Sequence, residues 1–130
     1  GTGKLVNVSA RNVVGTGDNI LIAGFVVDGT AAKTLLIRGV GQKLAEFGVS
    51  GVLADPKLEI YDANGVKVAE NDNWNLLLQA VARSVGAFDL TAGSKDAMLV
   101  LTLSPGAYTA QISGVGGGTG EAIVEVYEVP

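Results

Sequence analysis

The residues best suited to chemistry lie in Asn71-Asp72-Asn73-Trp74, where three oxygen-bearing side chains precede a large aromatic ring. Calcium takes about six to eight oxygen ligands. Asn71, Asp72 and Asn73, together with Asp62 and Asn64, therefore form a candidate hard-cation site, and Trp74 offers its apolar face to a sugar ring. The competing reading, which the spacing favours, is a polar turn that caps a helix while Trp74 folds into the core. A lone Asx cluster lacks the full ligand spacing of a calcium loop. Asp62-Ala63-Asn64-Gly65 opens like such a loop, but the third ligand and the distal Glu are missing, and the segment reads better as a hairpin turn.

Other constellations carry less. Ser94-Lys95-Asp96 brings together a hydroxyl, an amine and a carboxylate, but catalysis would need a buried lysine beside the serine, and a Gly-Ser turn is normally wet. Glu121, Glu125 and Glu128 share one strand; with no cleft in evidence they read as a solvated face that also blunts edge pairing. Gly114–Gly120 is glycine-rich but lacks the Gly-Lys-Ser/Thr ending of a phosphate loop. Arg38 sits in an apolar strand and needs a carboxylate partner, for which Asp55 and Asp89 are the candidates.

Composition narrows the chemistry further. The chain has no His and no Cys, which removes thiol nucleophiles, disulfides, Cys/His zinc sites and the commonest general base. Net charge is −4, and Lys and Arg are scattered singly, so neither nucleic acid nor an anionic membrane is an expected partner. No apolar run is long enough to insert in a membrane as a helix. Charged residues make up only 17% of the chain, against about 25% in ordinary domains, and so sparse a charge favours self-association. The chain opens at Gly1 rather than Met; a mature secretory product and a trimmed or excised domain both fit.

The elements that must position these residues are mostly strands. At 130 residues one domain, 1–130, is expected. Nineteen glycines punctuate short β-rich runs, which is an all-β pattern. About nine strands are predicted, near Lys4–Ser9, Asn19–Asp28, Lys33–Gly39, Lys57–Asp62, Val66–Glu70, Gly86–Leu90, Ala97–Leu103, Ala107–Ser113 and Glu121–Glu128. Leu76, Leu77, Ala80, Val81 and Val85 recur at helical spacing, with Asp72 or Asn73 as cap and Gly86 past the end. Gln42–Phe47 forms a second helical turn, and Ser104-Pro105-Gly106 a tight turn. Gly-Thr-Gly recurs at Gly1, Gly15 and Gly118, each time before a strand, and reads as a reused turn.

Strand polarity is the most informative pattern. Leu58/Ile60 against Lys57/Glu59, and Tyr108/Ala110/Ile112 against Thr109/Gln111/Ser113, alternate as one-sided strands should. Ile20–Val27, Leu35–Ile37 and Met98–Leu101 are apolar on both faces, and in Glu121–Glu128 Ile123 and Tyr127 share the second face with Glu125. Two covers would bury this excess: the helix with its long loop, or another subunit.

Residues 55–128 also resemble a known family. The run Asp55-Pro56-Lys57-Leu58-Glu59-Ile60-Tyr61-Asp62-Ala63-Asn64-Gly65 leads into Val68–Trp74, and Leu103-Ser104-Pro105-Gly106-Ala107-Tyr108-Thr109-Ala110-Gln111-Ile112-Ser113-Gly114 follows. These are similar to bacterial pre-peptidase C-terminal (PPC-like) β-sandwich domains. Leu5–Arg11, Leu36–Gly41 and Gly93–Asp96 extend the likeness over nearly the whole chain, toward a tandem-repeat variety in secreted and surface proteins. The resemblance implies export to the cell exterior or surface, a jelly-roll-like antiparallel β-sandwich with one short inserted helix, and an accessory role; some relatives bind carbohydrate or calcium.

Two functions follow, neither of them an enzyme's. One is a structural module that self-associates as a homo-oligomer or fibre by strand or arm exchange, with Lys4–Ser9 or Glu121–Glu128 completing a neighbour's sheet. Its assembly surface would be Leu5, Val6, Val8, Met98, Val100, Ile123 and Tyr127. The other is a glycan-binding module for polysaccharide, calcium-dependent or free of any cofactor, built on Trp74, Tyr61 and the Asx residues.

Overall fold

The computed structural model describes residues 8–130. Eight strands are found among them: β1 (Val8–Val14), β2 (Leu21–Val27), β3 (Lys33–Val40), β4 (Pro56–Asp62), β5 (Lys67–Asn71), β6 (Ala97–Leu103), β7 (Gly106–Gly114) and β8 (Gly120–Glu128), with one short helix, α1 (Gln79–Ser84). They form two four-stranded sheets ordered β1-β8-β3-β6 and β2-β7-β4-β5, and every strand pair is antiparallel. That double Greek-key order is an eight-stranded jelly roll. The part of the Lys4–Ser9 strand before Val8 lies outside the described residues; the strand itself runs on to Val14.

Among these strands only β4 and β5 are joined as a hairpin within one sheet. The Asp62 carboxylate accepts the N–H groups of Asn64 and Val66, and Gly65, at φ 76°, closes the loop in the left-handed region. The tight turn at Ser104-Pro105 joins β6 to β7 and therefore carries the chain from one sheet to the other.

The space between the sheets is filled by the inward residues of every strand, including Leu21, Phe25, Ile37, Leu58, Ile60, Ile112 and Val124. A second core lies on the outer face of the first sheet. There Leu36, Val40, Met98 and Tyr127 meet Leu44, Trp74, Ala82, Val85, Ala87 and Leu90. The chain's own turn at Gln42–Phe47 and its β5–β6 connection thus cover the outer faces of β3, β6 and β8, whereas the apolar outer face of β2 stays exposed at Ile22 and Val26. Of the expected assembly surface, Met98 and Tyr127 are buried here, Val100 and Ile123 pack against this second core, and Val8 packs against the first. Leu5 and Val6 lie outside the described residues. None of the described members forms a free surface.

Three expectations change in the covering segment. Gly86–Leu90 is not a strand: it lies over the sheet as an irregular run in which Ala87 and Leu90, three residues apart, are both buried, a spacing that no strand face has. The helix buries Leu78, Val81, Ala82 and Val85 in part or whole, while Leu76, Leu77 and Ala80 are exposed. Asn75, not Asp72 or Asn73, caps its leading 3₁₀ turn, accepting the Leu77 N–H; Gly86, at φ 78°, ends it as expected.

Tyr127 titrates inside this covered layer. Burial first, then the charge of Glu125 and the hydrogen bond to it, push its hydroxyl up to about 12. The folded value lies above the ordinary one of about 10, so the contribution is whole below pH 10 and lost as pH rises toward 12. With solvent screening allowed for, the loss is on the order of 1–2 kcal/mol. Denaturant titrations at pH 9 and pH 12 should show a smaller difference for Tyr127→Phe than for the parent chain.

Candidate functional site

Trp74 is 7% exposed, and its indole N–H donates to the Thr91 carbonyl at 3.1 Å and to Ser94 Oγ at 3.2 Å. Its ring is packed under the covering segment, so no face is left for a sugar. The neighbouring Asx residues bond locally. Asn71 Oδ1 accepts the Met98 N–H and its amide donates to the Asn73 carbonyl, while Asn73 donates to Asp72. Asn71 and Asp72 border a shallow cleft with Lys57 and Glu70. Asp62 and Asn64 belong to the hairpin turn at the other end of β5, about 13 Å away at strand rise, so the five residues are not one ligand set.

The remaining sequence candidates are structural. Asp96 is fully buried and holds the backbone N–H groups of Gly41, Gln42 and Lys43, while Lys95 is exposed beside it. Arg38 pairs with neither Asp55 nor Asp89. Its guanidinium meets Glu125 at 2.8 Å, directly across the β3–β8 pair, donates to the Phe88 carbonyl at 2.6 Å, and lies 4.2 Å from the centre of the Phe88 ring. Asp89 pairs instead with Arg83. Glu125 and Glu128 are buried rather than part of a solvated face, and Glu121 pairs with Arg11. β8 is paired on both sides, so its Glu residues guard no edge.

Two features remain unspent. The first is β2, an edge strand whose only partner among the described residues is β7. Its sequence Leu-Ile-Ala-Gly-Phe-Val-Val contains no charge and no proline, and Ile22 and Val26 are 53% and 66% exposed on its outer face. Of the other edges, β1 carries Arg11 and β5 carries Lys67 and Glu70, while β6, which is uncharged like β2, is tied at its start through Met98 N–H to Asn71. The second is a groove of about 360 Å³ on the outer face of the second sheet, floored by Glu59, Tyr61, Gln111 and Ser113. In the sequence these belong to two separate wet faces; only the β4–β7 pairing brings them together.

Among solved structures, the crystal structure of the pre-peptidase C-terminal domain of collagenase from Bacillus anthracis is similar to this chain. Identity is 15% and the TM-score 0.56, over 92% of this chain and 88% of that one. At that identity the likeness is one of fold, and the fold is a PPC-like β-sandwich. No family model matches the chain, and no curated protein does. Among the described residues no helix is long and apolar enough to cross a membrane.

Proposed function

We propose that this chain is a non-catalytic structural module of a secreted or cell-surface protein, one that associates with copies of itself by strand addition along β2. The uncharged β2 edge carries the reading. An unprotected strand edge presents unpaired N–H and C=O groups to any extended segment, and backbone pairing there supplies affinity while alternate side chains supply register. Ile22 and Val26 add an apolar strip beside that edge. The non-catalytic part rests on how the polar groups are used, since Asp96, Arg38, Glu125 and Ser94 are each committed to a structural bond.

The donor is the segment ahead of Val8 from a neighbouring copy, where Leu5 and Val6 supply an apolar pair. Glu121–Glu128 is withdrawn from that role because β8 already has strands on both sides. An arm that reaches a different surface of the next copy makes a heterologous contact, which propagates as an open filament unless the rotation closes it. The resemblance to repeat units of surface proteins fits the same picture of copies placed side by side.

Negative-stain microscopy and sedimentation test it. The parent chain should form filaments. Ile22→Lys with Val26→Lys changes only exposed side chains and should give folded, dispersed particles. Removing residues 1–7 should do the same while sparing Val8 and Ala10, which pack on the core. A parent chain that stays monomeric as its concentration is raised, or a truncated one that still assembles, would sink the idea.

A further inference from the structure

We infer that the groove on the outer face of the second sheet binds a neutral saccharide chain, through side chains and turn amides rather than through the open backbone edge of β2. Its floor comes from the wet faces of two neighbouring strands, where Glu59 lies directly opposite Gln111 and Tyr61 opposite Thr109. Glycine turns complete its lining: Gly15 and Gly17 from the β1–β2 connection, and Gly117 and Gly118 from the β7–β8 connection. Two of the Gly-Thr-Gly turns noted in the sequence therefore contribute to one groove. Glycine here removes the side chains that would fill the groove and lets a ligand reach the backbone amides. A Cβ at Gly114 would collide with the Gly118 carbonyl, so the turn at Gly117 and Gly118 lies close against the end of β7.

The lining selects the ligand class. At about 360 Å³ the groove falls near the lower end of small-molecule sites, which run from about 300 to 1,000 Å³. Tyr61 is half-buried, and its hydroxyl is held at 3.1 Å by Glu59. A fixed, amphipathic ring of this kind suits the C–H face of a pyranose. Gln111 donates one N–H to Thr109 at 3.3 Å, which leaves its second N–H and its carbonyl for ligand hydroxyls; Ser113 adds a hydroxyl. Among the described residues Glu59 is the one ionised side chain in the lining, and Lys67 balances it from outside at 3.4 Å. None of the described lining residues is a cation that could receive a carboxylate or sulfate, so polyanionic glycans are disfavoured. The aromatic residue that matters is therefore Tyr61 and not Trp74.

Depletion assays on cellulose, chitin and insoluble β-1,3-glucan, with alginate and heparin gels as anionic comparators, decide the matter. The parent chain should be retained on at least one neutral polymer and on neither anionic one. Tyr61→Ala should weaken retention about tenfold, and Ser113→Arg, which fills the groove from a half-exposed position, should abolish it. Val26→Lys alone, at the far end of β2 opposite Ala107, should leave retention unchanged. Thermal melts of each variant keep loss of fold apart from loss of binding. Passage through all three neutral polymers, equal retention on alginate, or binding that survives both groove substitutions in folded protein would each overturn the assignment.

Discussion

Arg38→Ala is expected to cost the fold about 3–5 kcal/mol, the usual penalty for removing one partner of a buried ion pair. Arg38 is fully buried, and Glu125 opposite it is nearly so. Without the guanidinium the carboxylate keeps only the Tyr127 hydroxyl, at 2.9 Å, and the Phe88 carbonyl loses its donor. The stacking of the guanidinium on the Phe88 ring goes as well. Replacing the whole polar group should be far milder. Arg38→Met, Glu125→Leu and Tyr127→Phe together remove every charge and hydroxyl at once, and well-packed apolar substitutes for buried pairs are often neutral. The remaining deficit would come from the Phe88 carbonyl. Urea denaturation of the single and triple variants gives both numbers, and hydrogen exchange at Ala87–Leu90 reports whether the covering segment is still held. A single-variant loss under about 1 kcal/mol would mean that water reaches the pair and that it is effectively a surface contact.

The same residues show where sequence reading succeeds and where it stops. The positions of β2 to β8, the turn at Asp62–Gly65, the turn at Gln42–Phe47 and the helix end at Gly86 are legible, because each depends on periodicity or on the backbone freedom of a nearby glycine. Local chemistry also exposes the excess of apolar faces in β3, β6 and β8. What covers them is not legible, since that depends on how the β5–β6 connection folds back across the sheet. Gly86–Leu90 shows the ambiguity: a short mixed apolar and polar run between glycine and a turn reads as a strand, but here it buries Ala87 and Leu90 without hydrogen-bonding into a sheet.

Partner identity fails for a similar reason. Arg38 and Glu125 are 87 residues apart in the chain, and they meet because β3 and β8 are neighbours in the first sheet. A signal exists, since Arg38 follows the apolar run Leu35–Ile37, Glu125 stands between Val124 and Val126, and the two have opposite sign. Pairing them on that ground alone would place β3 beside β8. The groove beside Tyr61 is harder. Its floor takes residues from β4 and β7, whose adjacency follows only from the complete jelly-roll order. The same holds for the β2 edge, because a strand's sequence does not say how many neighbours it has.

Asp96→Ala should be comparably severe, costing about 3–5 kcal/mol through stranded backbone donors at about 1–3 kcal/mol each. One carboxylate oxygen accepts the N–H groups of Gly41 and Gln42 at 2.8 and 2.9 Å, and the other accepts that of Lys43 at 3.0 Å. These are the donors that open the Gln42–Phe47 turn, which has no cap from its own preceding residue. Water cannot readily replace the carboxylate, since Asp96 is buried and Gly41 is packed so tightly on the Leu53 carbonyl that even a Cβ would collide with it. Burial nevertheless pushes the Asp96 carboxyl above its ordinary value, against the opposing pull of the three N–H groups and of Arg38. The sign of the pH effect follows: the folded state favours the protonated form, so this contribution is whole below the ordinary aspartate range and falls as pH rises through the raised folded value. Asp96→Asn separates the two effects. Its carbonyl oxygen can still accept from Gly41 and Gln42, but its amide meets the Lys43 N–H donor to donor, so about 1–3 kcal/mol should be lost at neutral pH. The variant should also lose the pH-dependent fall. Denaturation curves for the three proteins across the acidic range measure both. If Asp96→Ala were as stable as Asp96→Asn, the carboxylate would not be what holds the turn at Gln42–Phe47 against the sheet.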